Sequence, residues 1–425
     1  MMPRAVPGDL CGRYHTGNVR SVDFRLVTGA RAAPADALDV FRTALKLGLN
    51  SFGGPIAHIG YFRDEYVRRR GWVSEVTFAD LVALCQFLPG PASSQLGMAI
   101  GTLRAGLAGS IAAWLGFTLP SALLLMLFAF GVHDLVPLAG GAIHGLKVVA
   151  VAVVALAVWG MAGSLAPDRP RATIAIATAI VVLIVPHAAI QVVAILVAAA
   201  VGVIWLKDAG ALVASPITSP ISRRGGALAL ALFAALLLGL PLVRAAIDVK
   251  GLAVADTYYR VGSLVFGGGH VVLPLLRAEV VPPGWVSDGE FLAGYAAAQA
   301  VPGPLFTFAA YLGAIHQAEP RGVAGAMFAL VWLFLPGYLL VVGALPFWSA
   351  LRSMALARAG LRGVNAAVVG ILVAALYDPG WRTAILAPRD FAVALACLVA
   401  LAWWRLPPAV VVVSGAIAGL LFLTP

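Results

Sequence analysis

Charged residues are scarce in this chain, at 11% of 425 positions against 61% hydrophobic ones, and the mean hydropathy is +0.95. That scarcity excludes an ordinary soluble domain. Cysteine is scarce too: Cys11, Cys85 and Cys397 are odd in number and scattered, so neither a disulfide framework nor a CxxC metal site is encoded. The apolar stretches lack paired carboxylates, a nucleophile with its base, and any nucleotide or iron–sulfur motif, so a membrane-embedded enzyme would be without its parts. Short alternating strands are missing as well, which argues against a β-barrel. Acidic residues number 19 against 29 basic ones, a net charge of +10. In an apolar chain this excess reflects the positive-inside rule rather than nucleic-acid binding. Residues 1–35 carry five arginines but no apolar core segment, so they are expected to form a flexible cytoplasmic tail rather than a cleaved signal peptide.

What the chain does have is long apolar runs, and they repeat. Phe52-Gly53-Gly54 returns as Phe266-Gly267-Gly268, and Trp72-Val73-Ser74-Glu75 as Trp285-Val286-Ser287-Asp288. Gln86 with Pro89-Gly90-Pro91 returns as Gln299 with Pro302-Gly303-Pro304, and Pro120 meets Pro336. The order is kept and the offset is nearly constant. Helix-breaking motifs matched between two halves of a membrane chain point to a transporter with its site between the repeats.

The hydropathy pattern predicts an all-α polytopic membrane protein of thirteen segments. Six lie in the first half, at about 38–60, 78–103, 106–132, 138–164, 172–187 and 189–206. One stands alone near 227–247, and six follow at about 256–277, 290–315, 322–348, 359–377, 389–404 and 408–424. The expected organisation is a tail (1–35), a first repeat (36–206), a linker with one segment (207–250) and a second repeat (251–425). Equivalent segments are an odd number apart, so the repeats should be inverted across the membrane. Charge counting favours a cytoplasmic N-terminus. Arg63, Arg68, Arg69 and Arg70 are the exception, unless the segment holding Gly53-Gly54-Pro55 is broken or re-entrant.

The motifs from Asn50 to His58, Arg69 to Val73, Gln86 to Gln95, Gly303-Pro304, Gly363 to Ala367 and Ala375 to Pro379 resemble the chromate ion transporter family in its long, two-domain form. The resemblance covers nearly everything from residue 38 onward. It implies export of chromate, with sulfate as a chemical mimic, driven by the proton motive force and conferring chromate resistance from the inner membrane. Within transport, the alternatives are a transporter of another oxyanion such as sulfate and a passive anion channel. The partners are then chromate or sulfate and the lipid bilayer, with a homodimer as a further expectation. No cofactor or metal is called for.

An oxyanion leaving water needs donors and positive potential. Past Pro-Gly-Pro, the backbone N–H groups of Ala92, Ser93 and Ser94 would begin a half-helix facing the gap, with Thr307 mirrored. Gly90 and Gly303 form the breaks. Asn50, Ser51, Phe52, Gly53 and Gly54, with Gly267 and Gly268, could bring backbone close to the ligand, or serve only close helix contact. Gln86 and Gln299, one turn before each break, could donate to the anion or repair the backbone. A helix end contributes up to about 2 kcal/mol, so a fixed cation is expected: Lys46 and its mirror Arg260, or Lys147 and Arg362. His58 and His270 are candidates for proton coupling, with Glu65 and Asp80 behind them. Ser287 with Glu290 reads as a capping box, and its tryptophan as an interfacial anchor.

Overall fold

The computed structural model describes residues 34–51, 54–135, 140–185, 188–206, 219–247, 249, 251–265, 272–348, 350 and 354–422. Among them every regular element is helical. The first half holds α1 (Pro34–Asn50), α2 (Gly54–Phe62, continued by a π turn Arg63–Arg69), α3 (Glu75–Phe87) and α4 (Ala92–Leu135). It continues with α5 (Gly140–Leu165), α6 (Arg169–Ile184) and α7 (Ala188–Trp205). α8 (Arg223–Ala246) stands between the halves. The second half holds α9 (Leu252–Leu264), α10 (Val272–Val280), α11 (Asp288–Ala300) and α12 (Phe308–Ile315). α13 (Gly322–Ala344), α14 (Ala355–Ala375), α15 (Pro388–Ala402) and α16 (Pro408–Phe422) complete it. α4 is two arms, 92–104 and 107–135, because Ala105 and Gly106 leave helical geometry between them. Phe52, Gly53, Gly267, Gly268, His270 and most of the tail and linker lie outside the described residues.

The first two predicted segments of each half do not cross the membrane as single spans. A straight helix would put Lys46 and Glu65 about 28 Å apart, and Asp39 and Arg70 about 46 Å, at 1.5 Å per residue. Instead Lys46 Nζ lies 3.1 Å from Glu65 and an Arg70 nitrogen 2.9 Å from Asp39. The chain therefore turns back after Ser51, and α1 and α2 are the arms of a re-entrant hairpin. Arg260 repeats the device, 2.6 Å from Glu279. The Pro-Gly-Pro breaks reverse the chain too. Arg104, at the end of the first arm of α4, reaches Trp72 just before α3, and the Tyr311 hydroxyl of α12 donates to the Glu290 carbonyl at the start of α11. Asp36 meets Arg104 at 3.3 Å, so both hairpins of the first half open toward the same face. Asp39→Cys with Arg70→Cys, in a chain whose native cysteines are replaced by serine, should be bridged within one chain by a short bifunctional maleimide, seen as a single added cross-linker by mass spectrometry. A through-going helix would hold the two thiols about 46 Å apart and let each take its own reagent molecule.

Local sequence explains each turn. Leu88 and Val301 precede prolines, which disfavour the helical region for the residue before them, and both are extended (ψ 146 and 147). Gly90 and Gly303 then take φ +122 and +100, open to glycine at little cost. The next helices start at once. α3 and α11 begin on serine N-caps, Ser74 and Ser287, and the second carries the expected capping box with Glu290.

Five helices among the described residues are long and apolar enough to span, namely α4, α5, α8, α13 and α14. α6 and α7 form an antiparallel pair: Thr173 at the start of one and Trp205 at the end of the other line the same apolar groove. Such a pair returns the chain to the face it left. Residues 207–218 are too few and too polar in sequence to cross. Between α1 and α9 the number of crossings is therefore odd, and the second repeat is inverted, although two crossings fewer than the hydropathy count are involved.

The repeats are interlocked rather than side by side. α6 and α7 of the first half pack on α14 of the second, and α15 and α16 of the second pack on α5 of the first. Close backbone approach makes this possible: a Cβ on Gly363 would stand 1.9 Å from the Ala198 carbonyl, and one on Gly145 2.1 Å from that of Gly415.

Candidate functional site

The hairpin tips pair across the repeats through two crossed hydrogen bonds. Gly90 N–H donates to the Val265 carbonyl at 2.7 Å, and Gly303 N–H to the Ser51 carbonyl at 2.9 Å. Val265 and Ser51 occupy equivalent places, each just before a Phe-Gly-Gly motif. Each Pro-Gly-Pro turn is thus docked on the other repeat's break. A reciprocal contact of this kind is what a two-fold relation produces. The packing repeats it: Gly90 abuts Gly337, just after Pro336, while Gly303 abuts Ser121, just after Pro120.

This geometry sorts the helix ends. α1, α3, α9 and α11 end at the tips with free carbonyls, two of which accept the crossed bonds. The first arm of α4 and the short 3-10 turn Leu305–Thr307 leading into α12 start just past the two docked Pro-Gly-Pro turns. A helix start of this kind, with its free N–H groups and positive dipole end, is a setting for an anion.

Side chains add donors and acceptors. Ser51, Ser93, Ser94, Gln95 and His58 are at most 4% exposed, and the Ser51 and Ser94 hydroxyls, the Gln95 Oε1 and the His58 Nδ1 have no partner among the described residues. Buried polar atoms are normally paired, so orphans clustered at one place ask for a ligand or solvent. Gln95 Nε2 donates to the carbonyls of Pro89 and Gly337, tying the first Pro-Gly-Pro turn to the second repeat. Sequence reasoning passed over Gln95, although it closes the Gln86–Gln95 motif. His58 Nε2 shares the Ser51 carbonyl with Gly303 at 3.2 Å. The mirrored residues diverge. The Thr307 hydroxyl is spent on the Pro304 carbonyl. Gln86 is exposed, whereas Gln299 is half-buried with Nε2 unpartnered. The Asn50 amide caps the Lys46 carbonyl.

Two of the cations expected at the site are paired. Lys46 holds Glu65, and Arg260 holds both Glu279 and Asp256. Glu65 and Glu279 are themselves mirrored, as are Arg63–Glu75 and Arg277–Asp288, at 2.8 and 2.7 Å. Counting carboxylates at the repeat offset would have revealed both sets from sequence. Arg69 and Arg70 also bond Glu65, and although burial opposes its charge, hydrogen bonds from Arg70 and Lys46 leave its carboxyl below the usual range. Lys147 and Arg362 sit away from the tips. The Lys147 ammonium lies beside Gly289 at the start of α11, and Arg362 acts on Asp168, the N-cap of α6.

Fold and site together define a polytopic helical membrane protein of two inverted repeats, with a junction of broken helices between them. The family model for the chromate transporter matches residues 38–204 and 252–420, and the chain belongs to that family. A chromate transport protein of Pseudomonas aeruginosa is 31% identical over 92% of this chain and 94% of its own length. A probable chromate transport protein of Synechococcus elongatus is 27% identical, over 89% and 93%. The chromate transport protein of Cupriavidus metallidurans is 25% identical, over 88% and 90%. No solved structure matches.

Proposed function

We propose that the chain is a secondary active transporter exporting chromate from the cytoplasm, driven by the proton motive force and conferring chromate resistance. It sits in the cell's inner membrane with its N-terminus inside. The re-entrant first hairpin supports that orientation, because it brings Arg63, Arg68, Arg69 and Arg70 to the N-terminal face, where the positive-inside rule wants them. The observation that carries the substrate reading is the crossed pair of tip hydrogen bonds, which docks each Pro-Gly-Pro turn on the other repeat, next to the buried Ser51 and Ser94 hydroxyls that have no partner among the described residues. In this reading the Ala92–Ser94 backbone and the Ser51 and Ser94 hydroxyls bind the anion. The Gly54, Gly90 and Gly303 backbone and Gln299 approach it. Lys46 and Arg260 act at longer range through their ion pairs. His58 carries the proton-linked role, its Nδ1 being free once Nε2 is committed to Ser51.

Proteoliposomes loaded with labelled chromate or sulfate, with and without a pH gradient, test this. Gradient-dependent chromate movement is expected, and equal sulfate flux would make the substrate oxyanions in general. Flux without any gradient dependence would indicate a channel. Ser94→Ala should weaken chromate binding about 10- to 100-fold, since hydrogen bonds to charged groups are worth about 1.5–3 kcal/mol. Unchanged affinity in that variant would remove Ser94 from the site.

A further inference from the structure

The two repeats are equivalent in sequence register but not in exposure. On α1, Arg42, Lys46 and Asn50 fall one helical turn apart along one face, and all three are exposed. Arg42 makes no ion pair among the described residues, and the Lys46 side chain is 51% exposed despite its bond to Glu65. This face ends at Ser51, the tip that accepts the Gly303 hydrogen bond. An unpaired arginine and an exposed amide on a lipid-facing helix would be costly, whereas a wet groove accommodates both.

Their mirrors on α9 are Asp256, Arg260 and Leu264, and that face is covered. Arg244, from α8, bonds Asp256 at 3.0 Å, and Asp256 is 3% exposed. Asp256 also takes Arg260 at 3.1 Å, which in turn holds Glu279. The seal continues where the Tyr259 hydroxyl donates to the Phe233 carbonyl of α8 and the two rings pack. Among the described residues α8 has no counterpart in the first repeat, and the Arg42–Asn50 face of α1 stays exposed.

The geometry points to an asymmetric access route: the anion reaches the tips along the Arg42–Lys46–Asn50 face, while Arg244 of α8, holding Asp256, shuts the mirrored route along α9. The inference rests on the anion-transport reading but concerns only which side of the site is open. Arg42 is a positioning residue that draws anions to this exposed face, and Arg244 closes the opposite exit. A site loaded from the N-terminal face and shut on the other is the resting state an exporter requires.

The test uses thiol labelling, which is independent of any transported substrate. Asn50→Cys or Leu264→Cys is placed in the full chain with native cysteines replaced by serine. Vesicles of each orientation are then treated with membrane-impermeant thiol reagents, one anionic and one cationic. Asn50→Cys should react from the N-terminal face and Leu264→Cys from neither. Arg244→Gln should raise labelling of Leu264→Cys from the opposite face about tenfold, and Arg244→Lys should keep it shut. Arg42→Gln should lower the anionic-to-cationic rate ratio at Asn50→Cys about tenfold, as local steering charge is removed. Equal labelling of the two cysteines, or an unmoved ratio in Arg42→Gln, overturns the proposal. Leu264→Cys unchanged by Arg244→Gln in protein that purifies intact overturns the gate. If these results hold while proteoliposomes move no chromate, the substrate reading fails and the access route stands.

Discussion

Gly90→Ala and Gly303→Ala will each reduce chromate flux about 10- to 100-fold while the protein still inserts. Both glycines sit at strongly positive φ, where a side chain costs about 1–3 kcal/mol in strain. A Cβ would also stand 2.9 Å from the Gln95 Nε2 and 3.1 Å from Gly337 in one case, and 2.9 Å from the Ser121 hydroxyl in the other. Any shift that relieves the clash moves the N–H away from Val265 or Ser51, so the tip of the opposite repeat loses its anchor. The measurement is initial flux in proteoliposomes, normalised to reconstituted protein. Wild-type flux from either variant would mean that the tips do not need this register.

Arg260→Gln and Lys46→Gln, although mirrored, will differ sharply. Removing Lys46 leaves Glu65 bonded to Arg69 and Arg70. Removing Arg260 leaves Asp256 with Arg244, but strands Glu279, which has no other ion-pair partner among the described residues and whose side chain is only 19% exposed. A carboxylate stranded in a partly buried setting costs about 3–5 kcal/mol at the buried limit, whereas an exposed pair is worth about 0–1 kcal/mol. Arg260→Gln should therefore lower thermal stability in detergent and steady-state abundance, and adding Glu279→Gln should restore much of both. Lys46→Gln should fold normally, and its effect should appear in chromate affinity. Equal melting temperatures for the two single variants would refute the difference in ion-pair environment.

Much of this was legible in the sequence because the informative residues break helices. Proline and glycine act locally, so Pro89-Gly90-Pro91 and its mirror announce a helix end and a new start whatever surrounds them. The Ser287–Glu290 capping box is local in the same way. The reversal of the chain was not legible, since half-helices before and after a break have the same periodicity whether they run on or fold back. The ion pairs that reveal it were present as Lys46–Glu65 and Arg260–Glu279, but only the cations had been matched across the repeats. The exchange of α6–α7 and α15–α16 left no readable signal either: helices apolar all round carry no mark of which neighbour they bury against. The first pair of candidate cations, Lys46 and Arg260, is tied up in ion pairs with Glu65, Glu279 and Asp256, whereas Lys147 and Arg362 sit away from the tips.

α8 is the least enclosed of the long helices, and it belongs to neither repeat. Its contribution is one bit of information. Each passage through the bilayer flips the parity of the chain, and α8 supplies the single flip that delivers α9 to the face opposite α1. An even tally would set the second repeat upright beside the first, and no adjustment of side chains could then carry Gly90 to Val265 or Gly303 to Ser51. The composition of α8 can vary widely as long as its hydrophobic length and the arginine that meets Asp256 are kept, but its presence is all-or-none. A helix outside both repeats thereby decides whether the crossed contacts of the tips can form.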